Sequence, residues 1–120
     1  MKKILIVDDA EMNRDLLVQL LEDDYELSEA VDGVQGLAMA IEVKPDLILL
    51  DIHLRKMDGY EVTRNIRANE EIKDTPIIFV TARAMAGDEE KALEAGCNDY
   101  LQKPIDEDEL WSKVAKHING

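Results

Sequence analysis

The chain reads as an α/β protein: five short strands alternate with five helices around one parallel sheet. Three observations predict this. Five short apolar runs, most of them rich in β-branched residues, recur along the sequence. A helical pattern follows each run after a short connection, and strands alternating with helices must run parallel, with helices on both faces of the sheet. The first, third and fourth runs are continuously apolar, as strands covered on both faces must be.

The first strand is Ile4-Leu5-Ile6-Val7. After it, Met12, Leu16, Leu17, Leu20 and Leu21 repeat at helical spacing and predict one apolar stripe. The second strand, Tyr25 to Val31, is less apolar and reads as more exposed; Leu37, Ala40 and Ile41 mark the helix beyond Asp32-Gly33. The third strand is Leu47-Ile48-Leu49-Leu50, and Val62 and Ile66 mark a helix after Asp58-Gly59. A charged loop from Asn69 to Thr75 leads into the fourth strand, Ile77-Ile78-Phe79-Val80. Ala92, Leu93 and Ala95 belong to the next helix, closed by Gly96. Tyr100-Leu101 is a weaker fifth strand. The last helix starts at Asp106, with Glu109 three residues on as a capping box, and carries the stripe Leu110, Trp111, Val114, Ala115 and Ile118.

Residues 1–120 are expected to form one domain. At this length roughly two-thirds of the unfolded surface can be buried, and there is no internal repeat, low-complexity tract or linker. Apolar residues at 46% and charged residues at 34% exclude a disordered chain. Acids outnumber bases 27 to 14, giving a formal charge of −13, which argues against a surface that grips nucleic acid or an anionic membrane. The longest apolar runs are too short to span a bilayer, and the N-terminus lacks the apolar region of a signal peptide. The single Cys97 cannot form an internal disulfide, which fits a reducing, cytoplasmic compartment.

In open parallel sheets ligands bind outside the carboxyl ends of the strands. Asp8-Asp9 follow the first strand, Asp51 the third, Thr81-Ala82 the fourth and Lys103-Pro104 the fifth. Each alone has a bland reading. Asp8-Asp9 fit a solvated turn and helix cap, Asp51 a strand end, Thr81 a strand-end hydroxyl and Lys103 a surface lysine. Their joint placement at the ends of four of the five strands is what points to a site. Elsewhere, Cys97 reads as a small core residue, Trp111 as half-buried packing, and His117 as a favourable charge at a helix C-terminus.

These pieces, together with Pro45-Asp46 before the third strand and Met57-Asp58-Gly59 after it, resemble the receiver domain of two-component response regulators, the CheY-like family. The resemblance covers essentially the whole chain. It implies a doubly wound, flavodoxin-like (βα)5 fold with strand order 2-1-3-4-5, which brings Asp8, Asp9 and Asp51 into one crevice. Two ionised carboxylates about 4 Å apart repel by roughly 4 kcal/mol at an effective dielectric near 20, so such a crevice calls for protonation or a cation. A hard divalent ion such as Mg²⁺ suits oxygen ligands. The resemblance implies that Asp9 and Asp51 ligate it directly, Asp8 mostly through water, and His53 through its backbone carbonyl.

By the same resemblance, Asp51 is the phospho-acceptor. Lys103, the Thr81 hydroxyl and the Ala82 backbone amide would contact the phosphoryl oxygens, and Tyr100 would be the switch aromatic that turns inward. The Lys103-Pro104 bond is typically cis in the family. The output surface would span Met85 to Ala95, Asn98 to Gln102 and Asp106 to Ile118. No nucleotide-binding signature is present, so the implied donor is a phosphohistidine on a sensor histidine kinase or histidine phosphotransfer protein, or a small acyl phosphate. The implied receiver of the signal is a downstream protein target or a fused output domain. The module is thus expected to be a switch and not an enzyme. A rival, a Mg²⁺-dependent phosphatase with an aspartyl nucleophile, is disfavoured because such enzymes carry an acid two residues after the nucleophile, where this chain has His53. Two departures stand out. Many receivers have Pro where this chain has Arg55, and His53 and Arg83 occupy positions at which the family varies its dephosphorylation rate. The stretch Ala84 to Glu89 resembles receivers of hybrid kinases.

Overall fold

A computed structural model describes residues 1–82 and 88–119, with residues 88 and 89 described through their backbone alone. The elements are β1 (Lys3–Val7), α1 (Glu11–Leu21), β2 (Glu26–Ala30), α2 (Gly33–Val43), β3 (Leu47–Asp51), α3 (Gly59–Arg67), β4 (Ile77–Thr81), α4 (Asp88–Ala95), β5 (Asp99–Gln102) and α5 (Glu107–Ile118). The strands form one parallel sheet in the order β2-β1-β3-β4-β5. The expected flavodoxin-like arrangement is therefore the observed one.

Strand alternation sorts the core into two layers. Leu5, Val7, Ile48, Leu50, Ile77 and Phe79 point to the side covered by α2, α3 and α4. Ile4, Ile6, Leu47, Leu49, Ile78, Val80 and Leu101 point to the side of α1 and α5. Each of these large side chains is almost wholly buried, and each such burial contributes roughly 1.5–3 kcal/mol. β2 and β5 are the edges, and both carry more exposed residues than the inner strands.

The helices bury narrower stripes than their spacing predicts. In α1 only Leu17 and Leu21 are buried, while Met12 is 85% exposed and Leu16 is also exposed. The reason is position: β1 stops at Val7, so the first turn of α1 overhangs the rim of the sheet instead of lying on it. Ile41, Leu93, Trp111 and Ala115 likewise face outward. Trp111 lies across the α1–α5 seam, where its indole N–H donates to the carbonyl of Leu20 at 2.9 Å.

The charged loop before β4 is anchored by Ile72, which is buried in the core. Beside it, the Arg67 guanidinium donates to the carbonyls of Lys73, Thr75 and Gly96 and to Oδ1 of Asn98. It ties the end of α3 to the loop before β4 and to the segment between α4 and β5. Asp32, Asp58 and Asp106 each cap the helix that follows, through the amides of Gln35, Glu61 and Glu109. Gly96 ends α4 with φ +108, a left-handed conformation that suits glycine.

Candidate functional site: an acidic crevice at the switch point

From β1 the sheet grows toward β2 on one side and β3 on the other, so the crevice above the carboxyl ends of β1 and β3 is the topological switch point. Val7 and Leu50 are register partners, which sets the residues just after them side by side. Carboxylate oxygens of Asp8, Asp9 and Asp51 all lie within 4.8 Å of one another.

Each carboxylate is held differently. Asp8 is buried; its Oδ1 accepts from the Ala10 amide at 2.9 Å and from Nδ2 of Asn13 at 3.4 Å. The N-cap of α1 is Ala10, without a side-chain capping bond, so neither Asp8 nor Asp9 caps that helix. Oδ1 of Asp51 accepts from the His53 amide at 3.1 Å. Lys103 bridges the two buried acids, with Nζ 3.0 Å from Oδ2 of Asp8 and 3.4 Å from Oδ2 of Asp51. Asp9, nearer the surface, faces Arg55, whose Nε is 3.6 Å from its Oδ2.

The lysine reaches this point because its own amide donates to the carbonyl of Thr81 at 2.8 Å, which stitches the end of β5 to the end of β4. The Lys103-Pro104 peptide is cis. Thr81 is buried at the tip of β4, Ala82 is exposed beside it, and His53 is exposed at the rim. Tyr100, opposite Phe79 in the sheet, is partly buried against the α2–α4 core. The structure thus brings Asp8, Asp9, Asp51, Thr81 and Lys103 to one rim, with Ala82 and His53 beside them and Tyr100 below. Arg83 and residues 84–87, including the start of the expected output surface, lie outside the described residues.

Burial pushes the Asp51 carboxyl above the ordinary aspartate range, and the charge of Asp8 adds to this. The Lys103 ammonium and the His53 amide pull the other way without cancelling it. A hard cation would relieve that tension, and three carboxylates within reach of one centre suit one.

Two close approaches shape the crevice. A Cβ on Gly59 would lie 2.5 Å from the carbonyl oxygen of Asp51, and the Gly59 amide donates to the carbonyl of Ile52. A Cβ on Gly33 would lie 1.8 Å from the carbonyl oxygen of Met57. Only glycine lets α2 and α3 start this close to the loop that follows Asp51. Sequence spacing gives no sign of the Arg55–Asp9 pair, which depends on the loop after β3 folding over the rim, or of the Asn13 contact, which depends on how the first turn of α1 is set against Asp8. The same holds for Asp99, which is bound by His117 at 2.8 Å and Lys113 at 3.2 Å. His117 is in the last turn of α5, but its partner is this strand carboxylate and not the helix end alone.

Fold and crevice together define a doubly wound α/β domain with an acidic, lysine-bridged site at its switch point. The chain belongs to the response regulator receiver domain family, whose profile matches residues 4–115. It is 38% identical over 115 residues to the DNA-binding dual master transcriptional regulator RpaA of Synechocystis, covering 95% of this chain and 48% of that protein. This chain therefore spans about half the length of that relative. It is 43% identical over 105 residues to the polar-differentiation response regulator DivK of Brucella anthropi, covering 87% and 85% of the two chains. Among solved structures it resembles the receiver domain of sensor histidine kinase PA1611 from Pseudomonas aeruginosa, crystallised with a magnesium ion in its active-site cleft. That match has a TM-score of 0.92 at 38% identity over 99% of this chain and 98% of that one. The chain is a receiver domain of the two-component type. Among the described residues, no helix is long and apolar enough to cross a membrane.

Proposed function

We propose that residues 1–120 act as one phospho-accepting switch, with Asp51 as the acceptor. The observation that carries this reading is the packing of Asp8, Asp9 and Asp51 within 4.8 Å around a lysine that touches two of them. An Asp51 carboxylate oxygen attacks the phosphorus of a partner's phosphohistidine, the P–N bond breaks, and the donor imidazole leaves. Asp9 and Asp51 would hold Mg²⁺ directly, Asp8 through water and His53 through its carbonyl. The ion supplies charge neutralisation for the transferring group. Lys103 neutralises a second side, and the Thr81 hydroxyl and Ala82 amide donate to the remaining oxygens. The protein's share is positioning and charge, which suffices for phosphoryl transfer.

The phosphoryl group offers Thr81 a new acceptor, Thr81 shifts toward it, and Tyr100 turns into the vacated space. The change is read on the surface of α4, β5 and α5, by a separate protein target or a fused output domain. The donor is a sensor histidine kinase or histidine phosphotransfer protein, and the compartment is the cytoplasm. The exposed Leu16 lines a cavity of about 260 Å³ beside Lys103, together with Pro104 and Ile105, and gives an approaching protein an apolar foothold. The surface is not built to bind nucleic acid or membrane, given the charge of −13.

The test is incubation with acetyl phosphate, with and without Mg²⁺, read by intact mass. A Mg²⁺-dependent adduct is expected on the wild type and none on Asp51→Asn. An undiminished adduct on the variant removes Asp51 from its role, and steady hydrolysis of a phosphate ester by the pure protein favours the phosphatase reading.

A further inference from the structure

The three carboxylates do not share one counter-charge. Lys103 serves Asp8 and Asp51, and its side chain is only 16% exposed. Asp9 is served by Arg55, whose side chain is 78% exposed and sits 3.6 Å away. Among the described residues, Arg55 is the cation paired with Asp9. The first cation is held in the wall of the crevice; the second lies in solvent over its mouth.

The backbone of Arg55 is held in place while its side chain stands in solvent. Its carbonyl accepts from the amides of Gly33 at 3.2 Å and Met57 at 2.8 Å, which pins the loop to the start of α2. The next residue, Lys56, adopts φ +69, so its side chain turns away and pairs with Asp32 at 3.5 Å. Two neighbouring cations on one loop are thus divided between two acids, and only one of them faces the crevice.

We propose that Arg55 is the displaceable counter-ion of this pocket: it pairs with Asp9 until a divalent cation arrives, and so sets the concentration at which the pocket fills. This rests on the reading of Asp9 as a cation ligand. The guanidinium occupies a carboxylate that the metal needs, and its charge opposes the metal's approach. Both effects weaken cation binding, and both vanish with the charge. The pair is exposed, so the effect is modest and screened by salt.

The test is calorimetric titration of Mg²⁺ alone into the apo protein at low ionic strength, comparing wild type, Arg55→Gln, Lys56→Gln and Asp9→Asn. Arg55→Gln is expected to bind Mg²⁺ about two- to fivefold more tightly than wild type, with the gap narrowing at high salt. Lys56→Gln removes the same charge one residue along but does not touch Asp9, and is expected to change the affinity less. Arg55→Gln binding no more tightly than wild type overturns the proposal. So does Lys56→Gln tightening binding equally, since a general field would then account for the effect. Asp9→Asn is expected to bind much more weakly; if it binds like the wild type, the fault lies with Asp9 as a ligand and the site reading itself fails.

Discussion

Asp51→Asn is expected to make the metal-free protein more stable. Asp51 is 7% exposed, so its charge is largely desolvated. Lys103 at 3.4 Å attracts it by about 5 kcal/mol at an effective dielectric near 20. Asp8, within 4.8 Å, repels it by at least about 3.5 kcal/mol on the same scale. Asp9 adds a weaker repulsion because it is nearer solvent. These terms nearly cancel, and the desolvation left over is what raises the Asp51 pKa. Neutralising the side chain keeps an acceptor for the His53 amide and relieves a net cost of about 1–2 kcal/mol. For a domain of this length that is a rise in melting temperature of roughly 4–8 °C. A raised folded-state pKa means the folded protein holds the proton more tightly than the unfolded chain. Wild-type stability is therefore lost as pH rises from the ordinary aspartate range through the raised value, and the gap to the variant opens over that interval. The assay is thermal melting of both proteins, in chelator and in millimolar Mg²⁺, from acid to neutral pH. Mg²⁺ is expected to raise the wild type by mass action and to close the gap. An Asp51→Asn protein that melts below the wild type in chelator at neutral pH would refute the reasoning.

Gly59→Ala places a Cβ 2.5 Å from the Asp51 carbonyl oxygen, against backbone that cannot yield cheaply. It is expected to cost about 2–3 kcal/mol in urea unfolding and to weaken Mg²⁺ binding at the same time, and a silent substitution would show that the loop has slack. Asp99 titrates the other way from Asp51. Burial alone would raise it, but the bonds from His117, the Tyr100 amide and Lys113 outweigh burial and hold it below the ordinary range. Its contribution is present above the unfolded-chain value and is lost as pH falls through the folded one. Asp99→Asn is expected to lose about 1 kcal/mol at neutral pH, discounted for partial exposure, and the difference should shrink below about pH 4. A gap that does not vary with pH in denaturant unfolding would count against it.

The strand-end residues were legible because a parallel strand places the residue after its apolar run at the rim, whatever else the chain does. Asp8, Asp9, Asp51, Thr81 and Lys103 all stand at such positions. The buried faces of the helices are less legible in the sequence. Met12 and Leu16 continue the spacing of Leu17 and Leu21, yet periodicity does not say where the sheet ends beneath the helix. Trp111 keeps helical register with Leu110 and Val114, yet it spans the seam to reach Leu20.

Alternation of apolar runs and helical stripes, local in sequence, determined the layers, the direction of the strands and the edge where polar residues gather. Which of those residues meet was decided by strand order and by loops that fold back across the rim. Coulomb interactions depend on distance through space: Lys103 lies 95 residues from Asp8 and 3.0 Å from its carboxylate. Arg55 stands over Asp9 for the same reason, and no spacing along the chain encodes either contact.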